Sequence, residues 1–399
     1  MKKELLLLNC VLYAIAFFIV LPNGIKEIPF ALLSLLSIVF FIKEKKIDLK
    51  ILCIITLFLI INGLSLVYTK DLAYGLKRIE GFLPMLYLAF SYAVFSKMNV
   101  RFEKKFVTNW IVFFNSSTLS FLIIIGLYFY FHSIHVNYNT IRTVFDEIPF
   151  INIHPIYLSI LAVLGIATCV YIFEKNKHTA TFFVLCNLVL LYLTGARSGF
   201  IGFFLILFFV FFLVKFPSKS KVVLGIISII FIAALFTFNT DFKKRFREMV
   251  IPISFSKVNP ENSTSVRFVV WNCSIQQIKN TNILIGNGIG DVPLVLQECY
   301  DAHYPKLDKY YNTHNQYFSI MLGTGLIGLI SFLFFFIYLF NHALKCKNNF
   351  QMISILFYIY MFNFENIIER KYGILVMFFF LFYVFDIFIR PIHKVDEKV

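Results

Sequence analysis

The sequence predicts an all-α polytopic membrane protein with about 12 transmembrane helices and one large extracytoplasmic loop that contains short helices. Three observations lead there. Hydrophobic residues make up 59% of the 399 and charged residues only 15%, at a mean hydropathy of +0.79; a soluble domain carries roughly 25% charge, so this chain cannot cover a water-facing surface. Apolar runs near the length of about 20 residues that crosses a bilayer recur along the whole chain. Finally, Lys and Arg are distributed unequally between the two sides of those runs. The net charge of +15 therefore reads as cytoplasmic-side Lys and Arg, and no nucleic-acid partner is expected.

The expected spans are 5–22, 28–42, 51–68, 82–96, 107–131, 153–173, 178–194, 198–215, 221–238, 316–341, 350–368 and 372–390. The first follows Met1-Lys2-Lys3-Glu4 and has no small-residue cleavage site after it, so it reads as a retained helix rather than a signal peptide. The run at 350–368 is the least regular, because Asn363, Glu365 and Asn366 interrupt it. With the N-terminus in the cytoplasm, 20 of the 37 Lys and Arg fall in inside segments, 8 in short outside loops and 9 in the long loop. Long loops are exempt from the positive-inside rule, and the remaining asymmetry places both termini in the cytoplasm. The 52 phenylalanines read as lipid-facing filler.

Three regions follow: helices 1–9 over 1–238, an extracytoplasmic loop domain over 239–315, and helices 10–12 with a cytoplasmic tail over 316–399. The loop opens on the basic run Lys243, Lys244, Arg245 and Arg247, which reads as membrane-surface anchoring. It then holds Pro260, Asn262 and Ser263, a helical stretch from about Thr264 to Lys279, and Tyr310-Tyr311-Asn312-Thr313. Cys273 and Cys299 lie in it. They read as two buried free thiols, with a bridge as the alternative an oxidising compartment allows.

Ionisable groups inside a membrane are costly and usually functional, yet the apolar runs hold almost none. The notable ones stand at the outer ends of helices: Lys77, Arg78, His154, Arg197, Arg267, His314, Glu365 and Glu369. Thr194-Gly195-Ala196-Arg197-Ser198-Gly199 joins two runs in a tight turn and holds an arginine at headgroup level, where its planar fork of donors suits phosphate oxygens or simply anchors the helix. Arg267 follows Ser263 and Ser265, which can cap a helix; a structural salt bridge is the other reading. Asn312-Thr313-His314-Asn315-Gln316-Tyr317 begins a span with a histidine flanked by amides. Histidine can take a proton near neutral pH, though a lone one is also common as a structural residue. Gly286-Asn287-Gly288-Ile289-Gly290-Asp291 lacks the preceding strand of a dinucleotide loop and reads as a turn. No cluster has metal-ligand spacing, so neither metal nor cofactor is expected.

In this order and with this shared sidedness, the motifs resemble the O-antigen ligase and polymerase superfamily of bacterial envelope proteins. The family shows an R-S-G turn, then a long loop with an Arg-helix-Trp stretch and a G-x-G-x-G turn, then H-N at the next helix. The resemblance is strongest over about 185–335. It implies a metal-independent, inverting glycosyltransferase of the bacterial inner membrane, with its site facing the periplasm. The donor would be an undecaprenyl diphosphate-linked glycan and the acceptor a hydroxyl on lipid A–core or another glycan. Membrane lipids are its other partners. It also implies that His314 is the base and that Arg197 and Arg267 bind the donor diphosphate. Lys77, Arg78, His154, Asn315, Tyr317 and Glu369 are secondary candidates. Ligase is the preferred reading, polymerase the alternative. A lipid-linked glycan transporter is a further one, which would predict repeated halves, broken helices and charges at mid-membrane.

Overall fold

A computed structural model describes residues 2–98, 102–134, 138–173, 175–214, 263–304, 307 and 311–389, with eight single positions between 225 and 247. No strand occurs among the described residues. In chain order the helices are α1 (Lys2–Ala16), α2 (Ile28–Glu44), α3 (Leu49–Leu64), α4 (Leu72–Lys97), α5 (Lys104–Phe131), α6 (Tyr138–Glu147) and α7 (Pro155–Ile172). They continue with α8 (Lys177–Thr194), α9 (Arg197–Leu213), α10 (Ser263–Asn280), α11 (Val292–His303), α12 (Gln316–Lys345), α13 (Asn349–Met361) and α14 (Lys371–Phe379). A 3₁₀ turn, Ser65–Val67, prolongs α3, and a π-helix, Phe380–Phe388, prolongs α14.

Among the described residues seven helices are long and apolar enough to cross a bilayer: α3 with its 3₁₀ turn, α4, α5, α7, α8, α12, and α14 with its π-helix. The protein is a membrane protein. Four shorter helices, α1, α2, α9 and α13, of 13 to 17 residues, stand where spans 5–22, 28–42, 198–215 and 350–368 are expected. The expected span 221–238 and the basic run Lys243 to Arg247 lie largely outside the described residues, as do Pro260, Asn262 and Tyr310.

Several boundaries differ from the sequence reading. α4 begins at Leu72 rather than 82, because the Asp71 carboxylate caps it by accepting from the Tyr74 N–H at 2.9 Å; Lys77 and Arg78 are therefore helical. α13 stops at Met361 rather than 368: Asn363 turns its amide back to the Ile359 and Tyr360 carbonyls, at 3.2 and 3.1 Å, and ends the helix. The short helix α6 has no counterpart in the sequence reading, while α11 falls in the long loop, where short helices are expected. Nor are the aromatics only lipid-facing filler. Phe30, Phe114, Phe200 and Phe332 are fully buried, and pairs such as Phe30 with Phe379, ring centroids 5.7 Å apart and edge-on, fill the bundle.

α7 is the central helix, packed on α5, α8 and α9 and buried at every position except Tyr171. α12 is broken. Gly325 takes φ 61° and ψ −158°, a backbone region open essentially to glycine. A Cβ there would also strike the Leu284 backbone. The turn-forming run 283–288 lies along the break. Leu326 and Ile327 donate to the Ile283 and Leu284 carbonyls at 2.9 and 3.2 Å, while Asn287 and Gly288 donate to Leu322 and Gly323 at 2.8 and 2.9 Å. The groups freed by the break are thus paired, as a helix interruption requires. After it, the 20 residues to Lys345 match the roughly 30 Å hydrocarbon thickness.

α10 and α11 share a small apolar cluster that includes Val266, Val270, Leu296 and Tyr300, with Leu322 reaching in from α12. Cys273 and Cys299 are joined in a disulfide inside it, with Cα atoms 5.8 Å apart. This corrects the reading of two free thiols: helix pairing sets the two side chains face to face, a proximity that spacing alone does not reveal. The unit is moored to the bundle by Asp291. Its buried carboxylate accepts from the Lys70 and Asp71 backbone N–H groups, at 2.9 and 2.8 Å, and from the Thr69 hydroxyl at 3.1 Å.

Candidate functional site

The segment 312–318 and the segment 359–369 are clamped together, and the clamp builds the site. Asn315 caps α12, its Oδ1 accepting from the Tyr317 and Phe318 N–H groups at 3.0 and 3.1 Å, while its amide reaches the Asn363 carbonyl at 3.4 Å. Thr313 and Asn366 bond side chain to side chain at 2.9 Å. The Gln316 N–H donates to the Phe362 carbonyl at 2.8 Å, and Gln316 Oε1 accepts from the Ile368 N–H at 3.0 Å. The Tyr317 hydroxyl donates to the Ile359 carbonyl at 2.8 Å. Asn315 and Tyr317 are thus taken up in holding the two segments together.

That clamp sets His314 in the left-handed region, at φ 43°, with its N–H donating to Asn312 Oδ1 at 3.1 Å. Such strain in a non-glycine residue clusters at functional sites. His314 Nδ1 stands 3.6 Å from Glu365 Oε2, a distance for charge pairing rather than a direct hydrogen bond. Glu365 is buried. Burial works to raise its carboxyl, but His314, and behind it the charges of His154 and Arg267, hold it below the usual carboxylate range. The sequence reading singled out Glu365 as polar but gave it no role. The signal was the polar interruption of an apolar run.

Arg267, half-buried on α10, faces the same group. Desolvation draws its guanidinium below its usual value, against the opposing pull of Glu365 and Tyr360. One turn on, Trp271 packs against Phe364 and Phe318 with ring centroids 6.3 and 6.4 Å away. His154 is exposed at the start of α7, which it caps through Nδ1 to the Ile156 N–H at 3.4 Å. Arg197 stands at the α8–α9 junction. It is buried as the first residue of α9, beside Gly195 in the left-handed region. Arg142 of α6 covers this turn, its Nε donating to the Thr194 carbonyl at 2.9 Å. A cation suits the carbonyl end of a helix.

A second polar group adjoins the first. Arg78 Nη2 is 3.0 Å from Glu369 Oε1 and its guanidinium lies over the Phe82 ring at 5.6 Å. Ser319 donates to the same carboxylate oxygen. The three line a small open cleft between α3, α4 and α12, polar at Asn62 and Gln316 and apolar at Phe58 and Phe82. Lys77 is exposed outside it. No group of three or more His, Cys, Asp or Glu that could hold a metal occurs among the described residues.

The structure thus brings His314, Glu365, Arg267 and His154 together, pairs Arg78 with Glu369 close by, and sets Arg197 at the α8–α9 junction. Residues 182–333, which carry Arg197, Arg267 and His314, match the family model described as O-antigen ligase. Over this segment the chain is similar to that family. The matched segment runs from α8 through the α10–α11 unit into α12, so Glu365, Glu369 and Arg78 lie outside it. A protein of Haemophilus influenzae described as uncharacterized is 25% identical over 353 residues, which cover 82% of this chain and 84% of that one.

Proposed function

We propose that this protein is an O-antigen ligase-like glycosyltransferase. In this reading it moves a glycan from an undecaprenyl diphosphate carrier to a hydroxyl of lipid A–core, at the periplasmic face of the inner membrane. The observation that carries the reading is the His314–Glu365 pair beside Arg267. An ionised carboxylate opposite Nδ1 leaves Nε2 as the nitrogen that takes a proton, and it stabilises the imidazolium that results, as the acid of a catalytic triad does.

The acceptor hydroxyl gives its proton to His314 as its oxygen bonds to the anomeric carbon. The bond from that carbon to the diphosphate breaks on the opposite face, inverting the centre. Diphosphate leaves as an anion, so it needs charge stabilisation more than protonation, and Arg267 and Arg197 supply guanidinium donors for it. No metal is required by this scheme.

The test is the surface glycolipid profile of a strain lacking the gene, complemented with wild type or His314→Ala and probed for the repeat unit on a gel. Lipid A–core without repeats, while polymer accumulates on the lipid carrier, is the expected outcome, and His314→Ala should fail to restore it. A single repeat on lipid A–core assigns the protein as the polymerase. Near-normal activity of His314→Ala removes the base from the mechanism.

A further inference from the structure

We propose that Trp271, Tyr360 and Phe364 form a sugar-binding subsite beside His314, closed in this conformation, that takes a ring of the transferred glycan; this rests on the transferase reading above. Trp271 and Tyr360 converge on Phe364 from different helices, with ring centroids 6.3 and 5.2 Å away. Arg267 lies one turn before Trp271, on the same face of α10, and senses both Tyr360 and Glu365. Arg267, Trp271, His314, Tyr360 and Phe364 are all half-buried, so they form a rim rather than a core.

Their polar ends are turned the wrong way for simple packing. A tryptophan or tyrosine at a membrane surface normally buries its ring and keeps its N–H or O–H wet. Here the Trp271 indole nitrogen and the Tyr360 hydroxyl are both shut away from solvent and have no hydrogen-bond partner. A buried donor left unpaired carries its full desolvation penalty, and such groups call for an explanation. One ligand chemistry answers both features. A sugar ring offers an apolar C–H face to the aromatic planes and hydroxyl oxygens to the N–H and O–H. A prenyl chain would cover the rings and leave the donors unpaired. A diphosphate would engage Arg267 without any use for three flat faces. To reach the donors, the sugar must part Trp271 from Phe364, so binding moves the indole.

That movement can be read directly. The chain has two tryptophans, and the other, Trp110, is fully buried with its N–H on the Leu12 carbonyl at 2.8 Å. The full-length protein in nanodiscs is titrated with the glycan released by mild acid from the lipid extract of the deletion strain, and separately with inorganic pyrophosphate, while tryptophan emission is followed. The glycan should change the emission of wild type and of His314→Ala, and the change should be absent in Trp271→Phe. The isosteric Tyr360→Phe should raise the apparent Kd about tenfold, through loss of one buried hydrogen bond. No emission change with the glycan, or a change with pyrophosphate alone, overturns the subsite. If transfer is still lost in His314→Ala, the transferase reading stands without it. If the deletion strain accumulates no lipid-linked glycan, the transferase reading fails and the subsite falls with it.

Discussion

Lys26 is a charge the bundle should be better without. It lies in the turn between α1 and α2, fully buried, and its Nζ has no hydrogen-bond partner. Two ring faces stand beside it, those of Tyr372 at 5.4 Å and Phe18 at 5.9 Å. Burial pushes its pKa from 10.5 down to about 8. At 1.36 kcal/mol per unit this is about 3 kcal/mol against the charged form. The two ring faces return about 1–2 kcal/mol of that by cation–π attraction. Replacing Lys26 with methionine, of similar length and no charge, should therefore stabilise the protein at pH 7 by about 1–2 kcal/mol. The pH dependence is the sharper test. Below pH 8 the amine is charged in both states and the penalty is complete. Between pH 8 and 10.5 the unfolded chain binds more protons than the folded one, so wild-type stability rises with pH. The advantage of Lys26→Met should thus shrink from pH 7 to pH 10. The assay is thermal unfolding in detergent micelles at both pH values, scored as the difference between the two proteins. A variant less stable than wild type at pH 7, or an advantage that does not change with pH, would refute the reasoning.

Three further outcomes are expected. Glu365→Gln should leave the protein level normal and lower transfer by roughly 10²–10⁴-fold, the usual worth of an oriented general base; near wild-type repeat transfer on the gel would dissolve the pair. Gly290→Ala should loosen the α10–α11 unit from the bundle, because a Cβ there collides with the Asp71 carbonyl oxygen. Limited proteolysis should then cut within 263–304, and unchanged resistance would show that the contact gives way cheaply. Cys273 and Cys299 should react with a maleimide only after reduction. Changing both to serine should cost about 3 kcal/mol for a loop of 26 residues, read as earlier unfolding of this unit, and labelling without reductant would contradict the bridge.

The sequence alone determined the solvent of this protein and marked the residues that the proposed function uses. Hydrophobicity is additive along a chain, so Leu49–Val67 or Lys177–Thr194 announces itself as a span without any knowledge of its neighbours. The same holds for the R-S-G turn and for His314 at the head of α12, whose residue types and spacing are local. What the tertiary structure decided is which distant groups meet. Glu365 became the partner of His314 because the head of α12 and the segment after α13 are stitched together by amides and hydroxyls at Thr313, Asn315, Gln316 and Asn366, and Glu369 that of Arg78 because α4 packs beside that segment. In sequence these showed only as polar interruptions. The disulfide, the break at Gly325 braced by 283–288, and the burial of Lys26 are of the same kind. Each depends on a contact between segments far apart in the chain, and no local periodicity encodes such a contact, because its energy exists only once both segments have arrived.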